Sequence, residues 1–181
     1  MQEDELKATD LTNTGVPEIP QMEFLAPLPE VKVEPVFGIR VGTLGLLIAT
    51  TRFCEVLDKV QVNALPNVHP WVSGVLNLRG NLVPVFDLRL VMEAVGDAKK
   101  RRLFAVDRGE KAVALWIDTF PEIKNRLVMK KLKKLPVLPE IIQHFVTGGY
   151  EQDGQVWLDI KFEELFKALG RHQFAAEEAG L

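Results

Sequence analysis

The side chains able to do covalent or metal chemistry are few and scattered. The three histidines, His69, His144 and His172, stand neither at an i, i+4 spacing nor beside a cysteine, so they offer no ligand set for zinc. The single cysteine, Cys54, has no second thiol for a disulfide or a metal site, and its apolar neighbours read it as a small buried hydrophobe. Gly148-Gly149 lacks the following lysine and serine or threonine of a phosphate-binding loop, and it falls in a strand-like run. No nucleophile with a base accompanies these residues. The pattern predicts a non-catalytic protein with no metal and no cofactor, the alternative being an enzyme whose site assembles from distant residues.

What the sequence does offer is recognition by charge and shape. Arg79 precedes Gly80 at a hairpin tip, where a guanidinium can project and grip a carboxylate through two parallel bonds, which lysine cannot do. Glu55, between Cys54 and Val56, is either the outward residue of ordinary strand alternation or a charge partner, and Phe53 shares its face as an exposed contact or as core. Gly74 reads as a point of close backbone approach, by a neighbouring strand or by a partner's helix. Trp116 and Trp157 lie inside apolar runs and read as core, whereas Trp71 sits in a loop and is expected to be partly exposed. The basic runs Lys99, Lys100, Arg101, Arg102 and Lys130, Lys131, Lys133, Lys134 carry no interleaved aromatics for stacking bases. No nucleic acid is expected; solvated faces or an acidic partner suffice.

The elements that must position these residues are mainly strands. Phe37, Ile39 and Val41 alternate with Gly38, Arg40 and Gly42, the two-residue period of a half-buried strand. Similar runs recur at 46–50, 53–57, 74–78, 82–86, 103–106, 112–117, 145–150 and 155–158. Their separators include Arg79-Gly80-Asn81 and Asp153-Gly154, residues that tolerate positive φ, and such spacing argues for barrels or a sandwich. Two amphipathic helices follow hairpins. Asp87 caps one with the stripe Leu88, Val91, Met92, Val95 and a stop at Gly96; as a helix cap it needs no partner. Asp159 is expected to cap the other, with Phe162, Leu165, Phe166, Leu169 and a stop at Gly170. The repeated grammar, with Gly80 matching Gly154 and Gly96 matching Gly170, suggests an internal duplication.

Composition bounds the rest. Among 181 residues, 47% are hydrophobic, enough to bury a sizeable core. The net charge of −3 is uneven: residues 1–35 carry eight acids against Lys7 and Lys32. With five prolines, that segment reads as an acidic, disordered extension, followed by a folded unit over 36–170 and a flexible tail over 171–181. No apolar run approaches a membrane span and the acidic start lacks a signal-peptide pattern, so a cytoplasmic protein without direct membrane insertion is expected.

The stretch from Leu65-Pro66 through Val72-Ser73-Gly74-Val75, Asn77-Leu78-Arg79-Gly80 and Val83-Pro84-Val85-Phe86-Asp87-Leu88 resembles the signature of the CheW family of chemotaxis adapters. Phe53–Leu57 and Ala112–Asp118 resemble two further strands of that family, although Ala114 and Trp116 stand where it more often has glycine or small aliphatics. The long acidic extension and Trp71 resemble the PilI-like branch that serves type IV pili and twitching motility. The resemblance implies a mainly β fold of two SH3-like five-stranded β-barrels packed together, with the short helices after Asp87 and Asp159. It implies a scaffold that couples the cytoplasmic tip of methyl-accepting chemoreceptors to the regulatory domain of a CheA-type histidine kinase, recruited to receptor arrays at the membrane. Arg79, Glu55, Phe53 and Gly74 would then be the partner-binding residues. The competing reading is an SH3-like peptide-binding module outside chemosensory signalling, which would need an aromatic groove; the chain has one tyrosine, Tyr150.

Overall fold

The computed structural model describes residues 32–94 and 100–175, with side chains for all of these but 172–175. The expected N-terminal extension, apart from residues 32–35, lies outside them, as do Lys99, Val95 and Gly96. Strands β1 (Pro35–Val41), β2 (Leu44–Ala49), β3 (Cys54–Leu57), β4 (Val72–Leu78), β5 (Asn81–Phe86), β6 (Arg102–Val106), β7 (Val113–Ile117), β8 (Glu122–Asn125), β9 (Lys130–Lys131), β10 (Val146–Gln152) and β11 (Gln155–Ile160) form two sheets. Helices α1 (Leu88–Met92), α2 (Glu140–Gln143) and α3 (Phe162–Ala175) cover them. Sheet order is β8-β1-β2-β11-β10-β9 in the first and β3-β6-β7-β5-β4 in the second, each antiparallel except for one parallel pair, β2 with β11 and β7 with β5.

The duplication is visible in the backbone. An offset of 74 residues carries Gly74 to Gly148, where both hairpins change register, and Arg79-Gly80 to Asp153-Gly154, all four with positive φ. Positive φ at both central residues is the type I′ geometry that matches strand twist. The same offset carries Leu88, Val91 and Met92 to Phe162, Leu165 and Phe166, all buried. Yet the two barrels are not consecutive halves. Strands β3 to β7, one continuous stretch, form the second barrel; the first is assembled from β1 and β2 at one end and β8 to β11 at the other.

Strand alternation sorts the core. Ile39, Val41, Leu46, Ile48, Phe86, Phe104, Val106, Leu115 and Ile117 point from both sheets into one shared core, closed by α1 and α3. The opposite faces fill each barrel, Leu76, Val83, Val85, Leu103, Ala112 and Ala114 in the second and Val36, Leu47, Met129 and Trp157 in the first. Trp157 is core as expected, whereas Trp116 is half-buried and donates its Nε1–H to the Ser73 hydroxyl (3.1 Å). Trp71 is part-exposed as expected, stacked on His69 with centroids 4.2 Å apart.

Three local expectations are corrected. Asp159 does not cap α3: β11 continues through it to Ile160, and its carboxylate pairs with Arg126 (3.0 Å). Burial pushes that carboxyl up against the opposing pull of Arg126. Gly170 does not stop α3, because its φ is not positive and the helix runs on to Ala175, so 171–175 are helical rather than a tail. Asp87 does cap α1, accepting from the Arg89 N–H (3.1 Å), but the helix ends at Met92, with Glu93 in the left-handed region (φ 48°), before Val95 is reached.

Asp87 also takes part in a charged knot between the barrels. Arg101 grips it through two bonds (2.5 and 2.6 Å). Arg89 reaches Asp118 (2.9 Å), and Asp118 Oδ2 accepts the Gly42 N–H from the β1–β2 turn (2.5 Å). The Asp118 N–H in turn donates to the Arg40 carbonyl (2.9 Å). Among the described residues no helix is long and apolar enough to cross a membrane.

Candidate interaction site

Arg79 and Glu55 find each other across the mouth of the second barrel. Arg79 tops the β4–β5 hairpin and Glu55 lies on β3, at the other edge of the same sheet, so their meeting marks how far the sheet has curled. The guanidinium makes two parallel bonds to the carboxylate, 2.6 and 2.7 Å. That hydrogen bonding holds the Glu55 carboxyl below its ordinary range. Arg79 remains 63% exposed and Glu55 21%, so the pair faces solvent with donors to spare. The hairpin tip is secured separately, by the Gly80 N–H donating to Asn77 Oδ1 (2.8 Å).

Around the pair lies a mixed surface. Phe53 sits one residue ahead of β3, half-buried, with the Arg108 guanidinium 3.4 Å from its ring centroid and its carbonyl accepting the Asp107 N–H (2.8 Å). A cavity of about 270 Å³ is lined by Arg79, Asn81, Arg108 and Gly109 among others, and Leu82 on the β4–β5 hairpin is 75% exposed. Arg108 and Leu82 were not singled out in the sequence. Arg108-Gly109 carries only a turn signal there, and an isolated exposed leucine has no signature. Cys54 faces the shared core, and burial, aided by Asp107, pushes its thiol up to about 11, which leaves it unreactive at neutral pH.

Gly74 plays a different part. It is buried with φ +134°, and a Cβ there would overlap the carbonyl of Asn63, which exchanges two hydrogen bonds with Val75 (2.8 and 2.9 Å). Within this chain the close approach is therefore made by its own backbone, and Gly74 positions the Arg79 hairpin rather than lining the mouth. Groups of His, Cys, Asp and Glu able to hold a metal are absent among the described residues. Of their exposed large apolar side chains one is aromatic, Phe120.

The ion pair has a pH signature. A carboxylate whose pKa is depressed in the folded state contributes stability above the ordinary carboxylate range and loses it as pH falls through the folded pKa, here only weakly because the pair is exposed. A carbon-detected NMR titration is expected to show Glu55 titrating at lower pH than in Arg79→Asn, a variant that suits the type I′ turn and keeps the fold. Equal titration in the two proteins would show that the pair is not formed in solution.

Residues 35–170 match the model of the CheW-like domain. Protein PilI of Pseudomonas aeruginosa is 31% identical over 123 residues, covering 67% of this chain and 68% of that protein. The chemotaxis protein CheW of Helicobacter pylori is 24% identical over 132 residues, 72% of this chain and 79% of the relative. In architecture the chain is similar to the crystal structure of the scaffolding protein TtCheW from Thermoanaerobacter tengcongensis, with a TM-score of 0.60 at 20% identity over 75% of this chain and 94% of that one. Two barrels around one core and a family model spanning both of them place this chain in the CheW-like family of non-catalytic adapters.

Proposed function

We propose that this protein couples the cytoplasmic tips of methyl-accepting chemoreceptors to the regulatory domain of a CheA-type histidine kinase, in a chemotaxis or twitching-motility array. The observation that carries the reading is where the Arg79–Glu55 pair stands. An exposed ion pair contributes little to stability, and arginine is poorly suited to the positive φ it adopts here (53°), where asparagine or glycine is the ordinary choice. Folding does not call for this arginine, whereas a partner does: its remaining donors, on the hairpin that Gly74 positions, and the Glu55 oxygens and Phe53 ring, on the β3 edge that the hairpin meets, together form the target. The PilI relative favours the pilus branch.

Co-sedimentation of the full chain with receptor signalling tips and kinase, at fixed salt, tests this. Wild type is expected to enter a ternary complex and Arg79→Asn to weaken it about ten-fold or more, the size of a hot-spot loss. Equal assembly by the folded variant would remove Arg79 from the interface. Failure of wild type to bind either partner would leave the family's scaffold role without these partners.

A further inference from the structure

The first barrel has a mouth of its own, and it is built differently. The 74-residue offset puts Asp153 where the other hairpin has Arg79. The pairing Glu122↔Gly38↔Leu47 repeats Glu55↔Ala105↔Ala114, so Glu122 stands where Glu55 does. Two carboxylates cannot lock together, and Glu122 bonds instead to Lys124 on its own strand (2.7 Å). The mouth is thus a cavity of about 270 Å³, lined among others by Arg40, Asp118, Glu122, Lys124, Gln152 and Trp157.

Its floor is Trp157, 2% exposed, in a slot that exists because β1 and β2 carry glycines there: a Cβ at Gly38 or Gly45 would overlap the indole. Lys124 lies 4.8 Å and Arg40 5.9 Å from the ring centroid. The Trp157 Nε1–H is buried and finds no acceptor among the described residues; Gln152 Oε1 is buried and finds no donor. Tyr150 pairs with Trp157 and Gln152 with Gln155, so the unmatched donor and acceptor belong to diagonal neighbours on one face of the sheet. A buried donor and a buried acceptor each gain from a partner, and a ligand that offers both complements them.

The lining decides which ligand. An anion would meet Asp118, Glu122 and Asp153, and a cation would meet Arg40 and Lys124 and could not accept from the indole. We propose that this mouth binds a primary carboxamide, its oxygen accepting from Trp157 Nε1–H and its NH₂ donating to Gln152 Oε1. The inference concerns a different surface from the Arg79 site and does not rest on the coupling role.

The test is NMR titration of the indole N–H of Trp157 in the ¹⁵N-labelled full chain, distinguished from Trp71 and Trp116 by Trp→Phe variants. The probes are acetamide and the tripeptides acetyl-Gly-Gln-Gly-methylamide and acetyl-Gly-Glu-Gly-methylamide. The glutamine peptide is expected to move the Trp157 peak saturably while the glutamate peptide, its carboxylate twin, does not, and Gln152→Leu to weaken binding about five-fold. Acetamide binding as well as the peptide assigns the site to small amides; tighter peptide binding assigns it to a partner's glutamine or asparagine. A Trp157 peak that stays put, or that moves equally with both peptides, overturns the proposal. The twin-peptide comparison on wild type stands even where Gln152→Leu does not fold.

Discussion

Asp118→Ala is expected to cost about 3–5 kcal/mol of folding stability, the penalty for breaking a largely buried ion pair. Asp118 is 9% exposed and Arg89 16%; its loss strips Arg89 of its carboxylate and the Gly42 N–H of its acceptor in one step. It also removes the side-chain ties of the β1–β2 turn and of α1 to the end of β7, leaving the backbone bond from the Asp118 N–H to the Arg40 carbonyl. In urea the midpoint is expected to fall by roughly 1.5–2.5 M, from a slope near 2 kcal/mol/M for a domain of this size. Asp118→Asn keeps an acceptor for Gly42 and should lie between the two. A loss below about 1 kcal/mol for the alanine variant would show that the knot is solvent-relaxed and not a clamp.

Gly74→Ala is the second large effect, about 4 kcal/mol. Strained backbone at φ +134° supplies roughly 1–3 of it, and the overlap of the new methyl with the Asn63 carbonyl a similar amount. Gly80→Ala is the control: its φ is +87° but nothing lies within 4 Å of the added Cβ, so only the conformational term of roughly 1–2 kcal/mol remains. Thermal or urea unfolding of the two variants side by side reads the difference directly. Equal losses would mean that the Asn63 segment moves aside freely, and that the Arg79 hairpin is not anchored there.

How much of this was legible in the sequence follows from the range of each interaction. Strands with clear alternation, the type I′ turns at Arg79-Gly80 and Asp153-Gly154 and the Asp87 cap are local, and all appear. β8 and β9 leave no strand signal in the sequence, because Glu122–Asn125 has one apolar residue among charged and polar ones and Lys130–Lys131 is two lysines long. Asp159 looks like a cap because it is an aspartate ahead of an amphipathic stripe; the 74-residue offset shows Lys161 in the position of Asp87. At the site, residue types were readable but partnership was not. Arg79 carries a signal for gripping a carboxylate, yet that the carboxylate is Glu55, on the opposite edge strand, depends on barrel closure. The Asp118 knot joins residues from four separate segments and left no local trace.

The parallel pairing of β2 with β11 sets Leu46 against Leu158, residues more than a hundred positions apart. On a ribosome adding about 5–20 residues per second, β2 must wait on the order of 5–20 s for that partner. The β3 to β7 stretch, by contrast, is complete long before. One barrel can therefore mature during synthesis while the other holds an unpaired apolar edge, Leu46-Leu47-Ile48, open to other chains or a chaperone.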